Sequence, residues 1–154
     1  LDAGSNSNNV VHGSAALTLA KALTVYEAFG ESDVPDDGQR YFVVSPAGWA
    51  DLLQIDQFSR AEYVGEADLP YAGGMTAKRW LGFLWFTHSG LSISSTTRDC
   101  HAYHSTSVGL ATGSDVRTEM NYVPEKVSNL ITSYFSAGAV MIDNDGAIEC
   151  QITE

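Results

Sequence analysis

Residues 100–122, CHAYHSTSVGLATGSDVRTEMNY, and residues 123–154, VPEKVSNLITSYFSAGAVMIDNDGAIECQITE, are the stretch that decides the fold. Strand-like runs are joined there by short turns, and Ser, Thr and Tyr stand between the apolar positions. This composition is typical of extended chain that packs against neighbours. The stretch contains no pattern that indicates a catalyst.

The composition limits the protein classes that need to be considered. The chain has 154 residues and is 44% hydrophobic, which suffices for one domain or two small lobes. No apolar run approaches the about 20 residues of a membrane-spanning helix, so no membrane association is expected. The net charge is −11 and the eight basic residues are scattered. Because nucleic-acid binding needs clustered Lys and Arg, we expect no direct nucleic-acid site.

Two cysteines, Cys100 and Cys150, are present. They are too few for a disulfide framework, and their spacing fits no zinc pattern. We therefore predict free, half-buried thiols in a reducing cytoplasm.

The beginning of the chain predicts a helix after a disordered lead-in. Residues 1–13 are rich in Asn, Ser and Gly, a composition typical of disorder. Ser14 is the predicted N-cap of a helix that runs to about residue 29 and stops at Gly30. Apolar residues at three- and four-residue steps predict its buried face: Ala16, Leu19, Leu23 and Tyr26.

The middle of the chain predicts short elements of both kinds. Residues 41–44 predict a strand, and Ser45-Pro46 supplies an N-cap and an N1 proline to a second helix that ends near residue 57. Residues 59–76 are expected to be irregular. A strand is predicted over 80–87, where Gly82 indicates a bulge or a close backbone approach. The remaining predictions are a mobile loop over 92–97, a strand over 100–104, a short helical segment over 107–111, and extended chain over 116–122 and 130–142.

Residues 144–146, Asn-Asp-Gly, predict a closing hairpin. A two-residue loop would place Met141 opposite Cys150, whereas a three-residue loop with a left-handed glycine pairs Ile142 with Ile148. The three-residue loop keeps apolar residues on one face and is therefore favoured. Because strands and helices do not alternate as βαβ units, the predicted fold class is α+β.

Cys100, His101 and His104 form the sharpest candidate for a metal site. In a strand, however, side chains alternate, so the two imidazoles point to opposite faces. Cys100 and His104 share a face but supply two ligands, whereas a structural zinc site needs four. We predict no metal here, and no catalytic, cofactor-binding or metal-ligating residue elsewhere in the chain.

The weaker candidates have structural explanations. His12 and His88 are expected to be solvated or capping residues, and no G-x-S-x-G turn accompanies them. Residues 143–146 fail as a calcium loop because Ile152 stands where the bidentate Glu belongs. Residues 73–78 lack the spacing of a phosphate-binding loop. An acidic turn with nothing apolar to raise a pKa contains Glu31, Asp33, Asp36 and Asp37.

Five tracts in order carry a family resemblance. They are LTLAKALTVYEAF (17–29), VPDDGQRYFVVSPAGWADLL (34–53), AKRWLGF with HSGL (77–83 and 88–91), AYHSTSVGLATGSDV (102–116) and SYFSAGAVMIDNDGAIEC (133–150). With these tracts the chain resembles the major capsid proteins of tailed bacteriophages, which share the Hong Kong 97-type fold. The resemblance covers nearly everything after residue 14.

The resemblance implies a fold with a spine helix and an antiparallel sheet, into which an axial domain is inserted. Residues 14–38 and 124–154 would then form the peripheral domain, with the spine helix and a C-terminal hairpin, and residues 39–123 the axial domain. The family also has an N-terminal arm and an extended loop before the spine helix. Only the lead-in precedes Ser14 here, so we expect a proteolytic or engineered core of a longer capsid protein, which could be monomeric and would not form shells.

The function that the resemblance implies is structural rather than enzymatic. The chain would self-assemble with copies of itself into the icosahedral shell that encloses phage DNA, as hexamers and pentamers of the full-length protein. Scaffold, portal or decoration proteins would be further partners. The expected location is the virion capsid, assembled in the cytoplasm of the bacterial host.

Three alternatives remain at this point. An encapsulin-like compartment shell shares the fold and would be expected to bind a cargo peptide. A small metal-dependent hydrolase would use His101, His104 and a carboxylate, and would contain stoichiometric zinc or iron. A carbohydrate- or peptide-binding module would use Trp80 or Trp85, one of which an unbroken strand would expose.

Overall fold

A computed structural model describes residues 8–60 and 77–154, which form three helices and nine strands. The helices are α1 (Leu19–Glu31), α2 (Pro46–Leu53) and α3 (Asp56–Ser59). The strands are β1 (Asn9–Val10), β2 (Arg40–Val44), β3 (Ala77–Trp80), β4 (Phe83–Thr87), β5 (Ile93–Ser94), β6 (Thr97–His104), β7 (Val108–Val123), β8 (Ser128–Met141) and β9 (Ala147–Thr153). The predicted α+β class is confirmed.

Seven of the strands form one mixed sheet. Its successive neighbours are β1, β9, β6, β2, β4 and β3, and β5 pairs with β6. The pairs β1–β9 and β2–β4 are parallel, and the other pairs are antiparallel. The sheet is therefore mixed, where an antiparallel sheet was expected. Strands β7 and β8 form a separate two-stranded sheet, here named the ribbon (residues 108–141).

One face of the mixed sheet shares a core with the helices. Phe42 of β2 stacks on Trp85 of β4, with ring centroids 4.0 Å apart. The buried Arg40 closes one end of this core, because its guanidinium lies over the rings of Phe29 and Phe83 and donates to the carbonyls of Val34 and Pro35. The remaining large apolar residues of this core include Val25, Val44, Leu52, Phe58, Ile148 and Ile152.

Helix α1 begins later than predicted and buries a different face. Ser14 lies in the left-handed region, with φ 55°, and Thr18 is the N-cap instead, accepting a hydrogen bond from the Lys21 N–H at 3.4 Å. The helix passes through Gly30, and the left-handed residue that follows it is Asp33. The core side of the helix consists of Ala22, Val25 and Phe29, while Leu23 and Tyr26 are exposed.

The predicted single strand over 80–87 is a hairpin. Strands β3 and β4 pair antiparallel, with Trp80 opposite Phe83. The two residues between them, Leu81 and Gly82, both have positive φ, of 50° and 76°. Two positive values are the signature of a type I′ turn, which joins two strands and leaves no bulge within one.

The predicted mobile loop over 92–97 contains a second tight hairpin. Ser94 of β5 lies opposite Thr97 of β6, and Ser95 in the turn has φ 60°. The helical segment predicted over 107–111 was wrong. A 3-10 turn covers Ser105–Ser107, and β7 starts directly after it. The predicted strands over 41–44 and 100–104 and the start of the helix after Ser45 are confirmed. The predicted end of that helix near residue 57 is wrong, because α2 ends at Leu53 and the separate helix α3 follows.

The predicted closing hairpin of β8 and β9 does not form. Strand β8 pairs with β7, whereas β9 pairs with β6. Residues 142–146 instead carry the chain from the ribbon back to the sheet, and the Ile142 N–H donates to the carbonyl of Ser107 at 2.8 Å. Gly146 is required for this crossing, since a Cβ there would lie 1.8 Å from the Ser107 hydroxyl.

The predicted disordered lead-in is wrong for residues 8–13. Strand β1 pairs with β9, and Asn8 and Ala15 accept hydrogen bonds from Glu149 and Thr153 of β9. This segment covers the outer edge of β9, which would otherwise present unpaired backbone groups. Residues 1–7, and most of the irregular stretch predicted over 59–76, lie outside the described residues.

The described residues pack as one core and a separate ribbon. The helix and closing strand assigned to the peripheral domain share one core with β2, β4 and β6, which were assigned to the axial domain. The separation visible in the described residues instead isolates the ribbon. The assignment of residues to axial and peripheral positions in a shell stays a prediction.

Candidate assembly surface

The ribbon is exposed along its whole length. Its strands are 16 and 14 residues long, so it extends about 45 Å. No residue between 108 and 141 is buried. A 3-10 turn over Pro124–Lys126 and Val127 close its tip.

The two faces of the distal ribbon differ in chemistry. Met120 lies opposite Ile131 and therefore shares a face with it. Alternation along the strands adds Tyr122 and Phe135 to the same face. These four residues, here named the apolar face, are each more than half exposed.

The opposite face is polar. Arg117 lies opposite Tyr134, Glu119 opposite Thr132, and Asn121 opposite Leu130. The Tyr134 hydroxyl donates to Oε1 of Glu119 at 3.1 Å across the two strands. Leu130 is an exposed aliphatic residue on this face, and it is adjacent in sequence to Ile131 of the apolar face, which makes it a useful reference.

The ribbon bends near its middle. Between Thr112 and Arg117 the register shifts twice, so β7 carries two more residues than the segment of β8 that faces it. Such extra residues form β-bulges, which bend a strand and increase its twist. A long ribbon with both faces in water is marginally stable. The apolar face therefore needs a cover that the described residues do not provide.

His104 is a structural residue of the sheet. Its Nδ1 accepts a hydrogen bond from the Thr106 N–H at 3.3 Å, so the neutral ring carries its proton on Nε2 and donates it to Oδ1 of Asp37 at 3.0 Å. This bond holds the pKa of Asp37 below its ordinary value. The imidazole thus fastens the turn before β2 to the end of β6.

Replacing His104 with alanine should lower the free energy of unfolding by about 3 kcal/mol, because the buried imidazole and its hydrogen bonds to Asp37 and Thr106 are lost. His101→Ala, on the same strand but facing the other way, should cost about 1 kcal/mol or less. Urea denaturation of both variants at neutral pH measures the difference. Equal losses would show that His104 does not hold the turn.

The structure separates the residues of the candidate metal site. The buried Cys100 and His104 face the core, while His101 lies on the other side of the sheet. There it lines a cleft of about 520 Å³ together with Phe86, His88 and Tyr103. Among residues 8–60 and 77–154, no three His, Cys, Asp or Glu side chains are placed to hold a metal ion.

The other weak candidates have structural roles. His12 accepts a hydrogen bond from the Ser14 N–H, and His88 accepts one from the Gly90 N–H, each at 3.0 Å. Asp143 accepts one from the Asp145 N–H in the turn that leaves the ribbon. Of residues 73–78, only Ala77 and Lys78 are described, and they belong to β3.

The two tryptophans of the β3–β4 hairpin lie together. Trp85 is fully buried and Trp80 partly so, and their ring centroids are 5.6 Å apart. The expectation that one of them would be exposed rested on an unbroken strand, and the turn at Leu81 and Gly82 removes that premise. Neither ring offers an open platform to a ligand.

A family comparison identifies the kind of protein. The model of the phage capsid protein family matches residues 2–154, which is nearly the whole chain. The chain belongs to the phage capsid protein family. Its resemblance to tailed-phage capsid proteins is thereby confirmed. A comparison with curated protein sequences finds no significant match.

Solved structures agree with this family at the level of the fold. A protein of Mycobacterium phage Che8 is similar over 94% of this capsid protein, with a TM-score of 0.72 and 17% identity. The capsid of the cyanophage P-SCSP1u is similar over 97%, with a TM-score of 0.65 and 16% identity. The SrpI encapsulin of Synechococcus elongatus is similar over 97%, with a TM-score of 0.62 and 9% identity. The Hong Kong 97-type fold is therefore confirmed.

The capsid protein matches only part of these relatives. It covers 53% of the Che8 chain, 54% of the cyanophage chain and 54% of the encapsulin chain, so it spans about half of their length. Family and fold together point to a structural rather than an enzymatic protein. Of the three helices described in residues 8–60 and 77–154, none combines the length and the apolar composition needed to cross a bilayer.

Sequence reasoning missed the residues that make the ribbon distinctive. It predicted extended chain over 116–122 and 130–142, and it described the last third as packing surface, but it did not pair the two segments. The available signal was partial alternation, since MNY places Met120 and Tyr122 two residues apart and ITSYF places Ile131 and Phe135 four residues apart. The left-handed conformation of Val127 had no signal in the sequence at all.

Proposed function

We propose that this chain is a structural subunit of an icosahedral shell that encloses phage DNA. Many copies associate through modest, repeated contacts that symmetry arranges. The family and the fold support a structural role. The virion is the proposed location, with assembly in the cytoplasm of the bacterial host.

The observation that carries the proposal is the exposed apolar face of the ribbon. Met120 and Ile131 are 68% and 64% exposed, although Met and Ile are among the residue types that proteins most often bury. Contiguous exposed apolar residues with polar neighbours mark interaction sites. We assign the apolar face to contact with a second copy of the chain.

Charge supports a second copy as the occupant. The whole chain carries a net charge of −11, so most of its surface repels a copy of itself. The ribbon differs, because residues 108–141 contain three acidic and two basic residues and have a net charge of −1. Copies can therefore approach one another at the ribbon with the least repulsion.

Replacing two residues of the apolar face with threonine tests this proposal. Met120→Thr with Ile131→Thr should weaken self-association of the chain by about 100-fold, or about 2.7 kcal/mol, because two exposed apolar contacts are lost. Threonine keeps the strand preference. Sedimentation velocity over a concentration series measures the dissociation constant, and electron microscopy records any particles.

The matched control changes the next cross-strand pair, which lies on the polar face. Asn121→Thr with Leu130→Thr should leave the dissociation constant within about threefold of the unchanged chain. Both doubles alter exposed positions, so their melting temperatures should agree. Equal weakening by both double variants would refute the assignment. So would an unchanged chain that is still monomeric at about 1 mM, the concentration at which a contact worth about 4 kcal/mol is half-formed.

Hexamers and pentamers are the proposed assemblies of the full-length protein, and scaffold, portal or decoration proteins are proposed further partners. An encapsulin-like compartment is the second candidate, since a similar fold occurs in the SrpI encapsulin. The contents of purified particles separate the two functions. Nuclease-protected DNA is expected for a phage shell, and an enclosed protein for a compartment.

A further inference from the structure

Val127 at the tip of the ribbon combines three unusual properties. It lies in the left-handed region, with φ 48° and ψ 43°, and ends the 3-10 turn of Pro124–Lys126. Its N–H donates to the Pro124 carbonyl at 3.3 Å, which holds it in that conformation. Its side chain is apolar, branched at Cβ, and 80% exposed.

Positive φ is a poor conformation for valine. A β-branched side chain crowds the backbone there, whereas glycine and asparagine adopt it readily. Three of the other described non-glycine residues with positive φ, Ser14, Asp33 and Ser95, carry short polar side chains. Leu81 is apolar, but it packs against the core, which offsets its strain.

Val127 belongs neither to the core nor to the apolar residues packed against it within residues 8–60 and 77–154. Residues held in unfavourable backbone conformations often serve function, because the rest of the structure must offset the strain. The branched, exposed side chain is the part of Val127 that a glycine would not supply. A contact outside the chain would give this side chain a function.

We propose that Val127 is a contact residue for a second copy of this chain, whose surface buries the valine side chain in the assembled state. The inference rests on the proposed function and names the residue at the tip that it would use. Tyr122 and Ile131 of the apolar face lie five and four residues from Val127 in the chain and are also exposed. Glu125 and Lys126 beside Val127 cancel in charge, so two copies can meet here without like-charge repulsion.

Substitution at Val127 should separate assembly from folding. Val127→Thr keeps the shape and the β-branch but removes apolar surface, and should weaken self-association about tenfold. Val127→Gly removes the contact and relieves the strain. It should weaken association at least as much, while its Tm equals that of the unchanged chain or rises by about 2 °C.

Val140→Thr is the matched control. Val140 is 65% exposed and lies in regular β8, on the face of the ribbon opposite to the apolar face. This variant should associate like the unchanged chain. Sedimentation velocity gives the dissociation constants, and thermal unfolding followed by circular dichroism gives the Tm values.

The outcomes distinguish this inference from the proposed function. If both Val127 variants associate like the unchanged chain while Met120→Thr with Ile131→Thr does not, the role of Val127 is refuted and the apolar face stands. A lower Tm for Val127→Gly with unchanged association would place the valine in the chain's own fold, which also refutes the inference. Loss of association in Val140→Thr to the same extent would show that any exposed valine acts alike.

Discussion

Replacing Trp85 with alanine should lower the free energy of unfolding by about 4 kcal/mol, which is a large part of the stability of a domain of this size. Trp85 is fully buried and stacks on Phe42 with an angle of 10° between the rings. Its Nε1 donates to the Trp80 carbonyl at 2.9 Å. The alanine leaves a large cavity beside Phe42 and removes the indole hydrogen bond to the Trp80 carbonyl. Urea denaturation measures the loss.

Two variants serve as controls for Trp85. Trp85→Phe keeps an aromatic ring against Phe42 but has no donor for the Trp80 carbonyl, and should cost about 2 kcal/mol. Trp80→Ala removes a ring that is only partly buried, and should also cost about 2 kcal/mol. If Trp80→Ala destabilises the chain as much as Trp85→Ala, the stack of Phe42 and Trp85 is not the centre of the core.

The elements with strong local signals could be predicted from the sequence. Ser45-Pro46 places an N-cap acceptor and a fixed φ at the start of α2, and the Ser45 hydroxyl accepts the Gly48 N–H at 3.0 Å as expected. The β-branched and aromatic run at 41–44 likewise forms β2. In these places the local preference and the tertiary packing agree.

The buried face of α1 could not be predicted, because the helix carries two apolar stripes with helical spacing. One consists of Leu19, Leu23 and Tyr26, and the other of Ala22, Val25 and Phe29. Only packing against the sheet selects the second. The turns at Leu81-Gly82 and Ser95-Thr96 were missed for a related reason, since Leu and Ser are rare where φ is positive.

The closing turn shows how one motif can serve a different geometry. Asn-Asp-Gly at 144–146 was assigned to a hairpin because its glycine tolerates positive φ. In the structure, the glycine is needed because it has no side chain, which lets Gly146 lie close to Ser107. The pairing of β9 with β6, which are far apart in the chain, depends on such contacts. For this reason no local signal showed that β8 leaves β9 and belongs to the separate ribbon.

The two cysteines illustrate the same limit for burial. They were predicted to be half-buried, yet Cys100 of β6 lies directly opposite Cys150 of β9, and both are fully buried in the core. Burial disfavours the thiolate, and it raises the pKa of Cys100 to about 11 and that of Cys150 to about 12. Two neutral thiols therefore form part of the core at neutral pH.

These thiols should make the chain lose stability at alkaline pH. In the unfolded chain both deprotonate near their ordinary pKa of 9.0, whereas in the folded chain they keep their protons until about 11 and 12. Between these values the folded state binds more protons than the unfolded state, so the free energy of unfolding falls as pH rises. The stabilising contribution of the two thiols is fully present below pH 9, and at pH 10.5 the two thiols together have lost about 4 kcal/mol of it.

Urea denaturation at pH 8 and at pH 10.5 measures that loss, and Cys100→Ala with Cys150→Ala is the variant that isolates it. The double variant is less stable at pH 8, because it loses packing, but it should lose about 4 kcal/mol less than the parent chain between the two pH values. Lys21, whose ammonium has a pKa lowered by desolvation, acts in the opposite direction in both proteins. An identical alkaline loss in both proteins would mean that other groups cause it and that the thiols are reached by water.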